Sequence, residues 1–245
     1  MYASSTKFFV METMGRNVGW LALSAGLVKD IIDPLPLIIL PAETPFNKRA
    51  FLDKLTKLIS DHGYCVCMAS EGLHDSNGKG LAIAREEHAN GKTYTQFGGV
   101  AQKLSQLVEQ ELNIKTHSAN PDYLQRSSAL CVSATDWQMA YEAGAAAVHA
   151  AERGEHGVLP LIQKIQDEPF RWTFKSYPLA EVAELEAAVP PEFLSADGMD
   201  ITETALKYLR PLVMGETTTQ WRDGLPDLRP ITWTQVQKAL PDFEL

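Results

Sequence analysis

What this 245-residue sequence lacks narrows it first. It has three cysteines, Cys65, Cys67 and Cys131, too few for a disulfide framework and not spaced as a Cys-x-x-Cys metal pair. Cys65 and Cys67 alternate within Tyr64-Cys65-Val66-Cys67-Met68, a run that reads as buried strand, so a reduced, cytoplasmic setting is expected. No stretch approaches the roughly 18 apolar residues of a membrane span, and the start of the chain carries no charged-then-apolar targeting pattern. Positive charge is short as well. With 22 Lys and Arg against 31 Asp and Glu the net charge is -9, a surface that on average repels a nucleic-acid backbone. A small anion is a different matter, because a few local cations decide its binding. There is no Ser-His-Asp arrangement, metal-ligand spacing, heptad seam, internal repeat or low-complexity tract. Gly78-Lys79-Gly80 has the spacing of neither a Walker loop nor a dinucleotide fingerprint and reads as a turn, and His74 and His88 read as solvated loop residues.

What is present alternates between strand and helix. Phe8 to Met11 is an apolar, partly β-branched run of strand length, and Val18, Leu21, Ala22 and Ala25 recur after it at helical spacing. Pro34 to Pro41 is a second strand bracketed by prolines, and Tyr64 to Ala69 a third. Between them Asn47 caps a helix whose inward face is Phe51, Leu52, Leu55 and Leu58/Ile59, stopped at His62-Gly63. Leu73 to Phe97, polar and glycine-rich, is expected as a long surface loop. Gly98-Gly99 opens a helix to about Leu112, and Ser133 caps another from Ala134 to Arg153, whose alanine-rich run implies tight packing. Later come an expected strand at Phe170–Phe174, helices over Leu179–Ala188 and Ile201–Leu212 with Thr202 near the latter's cap, and a turn at Trp221–Pro226. Helices following successive buried strands predict a parallel sheet with helices on its faces, a three-layer, Rossmann-like α/β architecture.

Two stretches carry chemistry. Met14-Gly15-Arg16 stands where the first strand enters the first helix. Ligands of open α/β sheets bind at the carboxyl ends of strands, where free N–H groups of a helix start can meet an anion. Arg16 there either grips a phosphate oxygen or merely begins the helix. Lys115 to Ser128 gathers cations, a phenol and hydroxyls in a stretch with little apolar content. It is either a plain loop or a set of donors suited to a sugar phosphate.

Taken together the two stretches resemble the phosphofructokinase family. Met14-Gly15-Arg16 with Gly19-Trp20, then Ser70-Glu71-Gly72, Gly98-Gly99-Val100 and Tyr123-Leu124-Gln125-Arg126 follow in that family's order. Lys115-Thr116-His117, Asp122, Gly215-Glu216 and Arg222-Asp223-Gly224-Leu225-Pro226 look most like its pyrophosphate-dependent bacterial type. The resemblance is to the carboxyl-terminal half of the family. The donor-binding glycine loop, the Gly-Gly-Asp motif and the Thr-Ile-Asp-Asn-Asp loop with the catalytic aspartate do not occur, so a truncated or split gene product, or a frame begun at an internal methionine, is expected.

The resemblance implies that Met14, Gly15 and Arg16 line a fructose 6-phosphate site, Arg16 also steadying the phosphoryl group in transfer. Glu71 would bind sugar hydroxyls, and Tyr123 and Arg126 would hold the sugar and its 6-phosphate. Lys7 and His117 would reach the phosphate of a neighbouring subunit, though His117 stands where arginine is common and lacks a guanidinium's permanent charge and fork. Residues 1–160 would form the fructose 6-phosphate-binding domain and 161–245 would pack back on the amino-terminal half. The implied reaction is Mg2+-dependent phosphoryl transfer from pyrophosphate, alternatively ATP, with donor and metal held mainly by that other half and no metal ligand in this chain. The implied partners are fructose 6-phosphate and either further copies of the chain or a separate amino-terminal half, with no nucleic acid and no membrane. A noncatalytic subunit or fragment that only binds sugar phosphate is the remaining alternative.

Overall fold

A computed structural model describes residues 5–89, 92–218, 221–227, 234, 235 and 237. In chain order the elements are β1 (Phe8–Thr13), α1 (Trp20–Ser24), β2 (Leu37–Leu40), α2 (Lys48–His62), β3 (Cys65–Ser70), β4 (Ile83–Ala89), β5 (Lys92–Phe97), α3 (Val100–Leu112), β6 (Thr116–Ala119), α4 (Leu124–Ser127), α5 (Ala134–Glu152), β7 (Val158–Gln166), β8 (Arg171–Pro178), α6 (Leu179–Val182) and α7 (Glu203–Leu209). β1, β2, β3 and β6 form one parallel sheet in the order β2-β3-β1-β6. In register, Val10 lies beside Cys67 on one flank and Ser118 on the other.

The strand order dictates where the helices go. The chain steps from β1 past β3 to β2, then reverses for both later steps, β2 to β3 and β3 to β6. Because parallel crossovers are right-handed, reversing the step moves the connecting helix to the opposite face. Accordingly α2 and α3 cover one face, where Phe8, Val10, Ile38, Phe51, Leu55, Cys67, Leu104 and Val108 form the main core. The other face is covered by α1 and α7, with Leu23, Ile39, Met68, Phe193 and Leu209 buried between. Each such fully buried side chain contributes roughly 1.5–3 kcal/mol. Burial also pushes the Cys65 thiol up to about 12 and raises that of Cys67 well above its ordinary value, so both are packing residues and unreactive.

The capping signals operate as expected. Asn47 Oδ1 accepts from the Ala50 N–H at 3.1 Å, Gly63 ends α2 in the left-handed region at φ 83, and the Ser133 and Thr202 hydroxyls accept from the Asp136 and Ala205 N–H groups.

Several elements differ from expectation. The helix after β1 is only Trp20–Ser24 before it tightens to a 3-10 turn over Ala25–Asp30, and Leu21 is exposed. Residues 73–97 are not a structureless loop, since Ile83–Ala89 and Lys92–Phe97 pair antiparallel as a hairpin. Neither strand has a continuous apolar face to signal it. Asn90-Gly91 between them is a strong hairpin signal and lies outside the described residues. Thr116–Ala119 is likewise a sheet strand rather than part of a loop. The helix expected over Leu179–Ala188 stops at Val182, and that over Ile201–Leu212 becomes α7 followed by a 3-10 turn. The alanine-rich α5 buries only Met139 and Ala150 and leaves Trp137, Tyr141 and Val148 exposed, so within this chain it is not tightly packed.

Candidate functional site

β1 delivers the chain to Met14-Gly15-Arg16 at the carboxyl edge of the sheet. The turn there is one only a glycine can begin, because a Cβ on Gly15 would run into the Val18 carbonyl oxygen at φ 148. Arg16 follows at φ 52, in the left-handed region that a side-chain-bearing residue adopts only when its surroundings hold it. Glu71, at the carboxyl end of the adjacent β3, is what holds it. Its Oε1 accepts from the Gly15 and Arg16 N–H groups, both at 2.9 Å, and its own N–H donates to the Thr13 carbonyl at 2.9 Å. Gly72 lies so close beneath the turn that a Cβ there would collide with the Arg16 carbonyl. The sequence reading offered these N–H groups to an anion. The structure corrects this: Glu71 occupies two of them, and the Gly19 N–H at the start of α1 donates to both oxygens of the Glu43 carboxylate at 3.0 Å. The cation left at this joint is the Arg16 side chain.

The second stretch meets the first directly. β6 ends beside β1, and the chain turns through Asp122, at φ 46, into the single helical turn of α4. Gln125 on that turn accepts from the Met14 N–H through its Oε1 at 3.1 Å, joining positions 111 residues apart. Tyr123 and Arg126 stand on the same turn, with the guanidinium carbon 5.8 Å from the ring centroid. Both are exposed, and among the described residues neither Arg16 nor Arg126 forms an ion pair.

Arg16 and Arg126 line one cleft of about 850 Å3, together with Met14, Gly15, Glu71 and Tyr123. Its far wall is the β4–β5 hairpin, which contributes Ala84, Arg85 and Thr95 to Phe97, and its floor includes Glu12, Gly98 and Gly99. Glu12 is 2% exposed and anchors the floor. α3 begins without a capping side chain of its own, and the Glu12 carboxylate instead accepts from the Gly99 and Ala101 N–H groups at 3.1 and 2.9 Å. A carboxylate so placed also complements the positive end of the helix dipole.

Lys7 and His117 are not in the cleft. Lys7 precedes β1, and seven residues of strand at about 3.3 Å each place it roughly 20 Å from Met14. His117 lies along β6, stacked on Phe9 with ring centroids 6.0 Å apart. Among the described residues no group of three His, Cys, Asp or Glu side chains is arranged to hold a metal ion. Sequence reasoning quoted Gln125 without giving it a task and missed Glu12 and Arg85 altogether. Glu12 reads as one more strand residue, and Arg85 sits in the segment taken for a loop.

Fold and cleft define an α/β protein with a cleft at the carboxyl ends of three neighbouring parallel strands, where open α/β sheets bind their ligands, lined by Arg16, Arg85 and Arg126. The chain belongs to the phosphofructokinase family: the family model described as Phosphofructokinase matches residues 1–151. It is 43% identical to the pyrophosphate–fructose 6-phosphate 1-phosphotransferase of Xanthomonas campestris pv. campestris, over 100% of this chain and 58% of that protein. It is 27% identical to the ATP-dependent 6-phosphofructokinase of Mycobacterium tuberculosis, over 63% of this chain and 43% of that one. The pyrophosphate-dependent phosphofructokinase of Nitrosospira multiformis superposes with a TM-score of 0.82 at 35% identity, covering 99% of this chain and 57% of that structure. That of Marinobacter aquaeolei gives 0.81 at 36% identity over 100% and 58%. The chain thus spans about 58% of the length of the curated relatives it matches. No helix among the described residues is long and apolar enough to cross a membrane.

Proposed function

We propose that this chain supplies the sugar-phosphate site of a pyrophosphate-dependent phosphofructokinase of the cytoplasm, in which fructose 6-phosphate accepts a phosphoryl group on its 1-hydroxyl to give fructose 1,6-bisphosphate in glycolysis. The observation that carries the reading is the shared cleft of Arg16 and Arg126, brought together from segments 110 residues apart. Pyrophosphate is favoured over ATP because three relatives named for it match at 39–43% over 98–100% of the chain, against 27% over 63% of it for the ATP-dependent one.

In this reading Arg126, backed by the Tyr123 ring, binds the 6-phosphate. Arg16, in its fixed left-handed turn, meets the phosphoryl group and spreads charge away from its oxygens as it moves. Phosphoryl transfer is governed by positioning and charge stabilisation, so guanidinium groups held without local carboxylate partners suit it. Glu71 holds the turn with Oε1, leaving Oε2 for a sugar hydroxyl, and Met14 and Gly15 shape the wall. In this reading Mg2+ accompanies the phosphoryl donor and is held mainly by the amino-terminal half. On the same reading Lys7, at the opposite end of β1 from the cleft, and His117, on the edge strand β6, reach the phosphate of a neighbouring subunit. Residues 1–160 constitute the sugar-phosphate domain. Across the 160/161 boundary, α5, β7 and β8 offer apolar surface, Trp137 and Ile165 included, to the amino-terminal half or a further subunit.

Calorimetry on the full chain tests this. Fructose 6-phosphate is expected to bind at least about tenfold more tightly than fructose, since a charge-assisted hydrogen bond contributes roughly 1.5–3 kcal/mol. Turnover by the chain alone with pyrophosphate or ATP is expected to be negligible. Equal binding of the two sugars would contradict the site, and rapid turnover would contradict the need for a second half.

A further inference from the structure

We infer that Arg85 is a third guanidinium of the phosphosugar site, and that the β4–β5 hairpin is the element that sets it there. The inference rests on the proposed function.

Among the described residues the hairpin pairs with no strand of the main sheet, and it lines the cleft. Its ladder is regular from Arg85 to Ala89 but breaks between Ile83 and Arg85: Ile83 lies opposite Phe97, while Arg85 lies opposite Gln96. Two steps on β4 therefore match one step on β5, which makes Ala84 the extra residue of a bulge. In a regular strand successive side chains point to opposite faces, so Ala84 and Arg85 could not both serve one surface. A bulge removes that restriction and re-aims the side chain that follows. Both residues line the cleft. The base of β4 is seated on the cleft floor, with Ala84 in van der Waals range of the space beside Gly98, and Gly99 is fixed by Glu12. Arg85 is thereby tied to the same framework that holds the Arg16 turn.

Charge completes the argument. The lining of the cleft carries three guanidinium groups, Arg16, Arg85 and Arg126, against the carboxylates Glu12, Glu71 and Asp122, of which Glu12 and Glu71 accept hydrogen bonds from backbone N–H groups. A phosphorylated sugar carries close to two negative charges and a bisphosphate about twice that. Arginine forks bind such groups through paired N–H donors. Arg85 is thus a substrate-positioning residue, and the hairpin a wall that selects phosphorylated over neutral ligands.

Calorimetry with fructose 6-phosphate, fructose 1,6-bisphosphate and fructose, on the full-length chain and on Arg85→Gln and Arg85→Lys, tests it. Arg85→Gln is expected to weaken both phosphorylated sugars tenfold or more, leave fructose unchanged, and reduce the salt dependence of binding. Arg85→Lys should recover part of the loss, because it restores charge without the fork. Arg153→Gln, at the far end of α5, is the control and should bind like the parent chain. A merely structural role would instead lower affinity for all three ligands together with the thermal midpoint, and would overturn the assignment. Unchanged binding by Arg85→Gln would also overturn it while leaving the proposed function standing. A parent chain that fails to bind either phosphosugar would overturn both.

Discussion

Glu71 decides whether the Arg16 turn exists. Gly15 and Arg16 sit at φ 148 and φ 52, and their N–H groups converge on one carboxylate oxygen. Glu71→Ala removes that acceptor, so the variant should lose about 1–2 kcal/mol of stability in urea denaturation and bind fructose 6-phosphate about tenfold more weakly. Glu71→Gln keeps an acceptor and should lose less of both. A Glu71→Ala chain as stable as the parent would show that the turn holds itself. The motif residues were readable from their order in the sequence; their division of labour was not. Met14-Gly15-Arg16 announces an anion site at a helix start, yet the amides there are held by Glu71 and Glu43. Nothing local marks those two carboxylates as acceptors, because each reaches its partner across at least 24 positions.

Elements read well where burial dictates them and poorly where it does not. β1, β2 and β3 announce themselves because a parallel strand covered on both faces is apolar throughout, and α2 through its cap and inward face. The β4–β5 hairpin and the four-residue β6 carry polar side chains and owe their shape to pairing partners, so composition alone reads them as loop. The last segment shows how such pieces are fastened. Residues 195–200 are tied to α2 by Asp197, which accepts from Lys54 Nζ at 2.7 Å and also from the Ser195 hydroxyl and the Met199 N–H. Partial burial works against the charged carboxylate, but these donors outweigh it and hold Asp197 at about 2 against an ordinary 3.8. A depressed carboxylate stabilises the fold fully above its unfolded value and loses that contribution as pH falls through its folded one. Stability should therefore drop between about pH 4 and pH 2 in the parent and less steeply in Asp197→Asn. At pH 7 that variant should be less stable by about 1 kcal/mol or less, given how exposed the Lys54 pair is. Denaturation midpoints across that range check both, and parallel pH profiles would contradict the assignment.

The described residues form a parallel sheet with the arginine-lined cleft at its carboxyl edge. The carboxyl ends of β3, β1 and β6 deliver, side by side, the carboxylate that holds the turn, the turn itself, and the arginine-bearing helical turn that Gln125 fastens to it. The opposite ends of the same strands carry Lys7 away from the cleft, and α5 turns Trp137 and Tyr141 outward. The chain spans about 58% of the length of the first relatives it matches, and in the proposed reading these surfaces meet other polypeptide. A crystal structure of the chain with fructose 6-phosphate is the most direct trial. The sugar is expected in the cleft of about 850 Å3, with the guanidinium groups of both Arg16 and Arg126 within hydrogen-bonding distance of that one molecule. A ligand seated elsewhere, or one touched by only one of the two, would contradict the account.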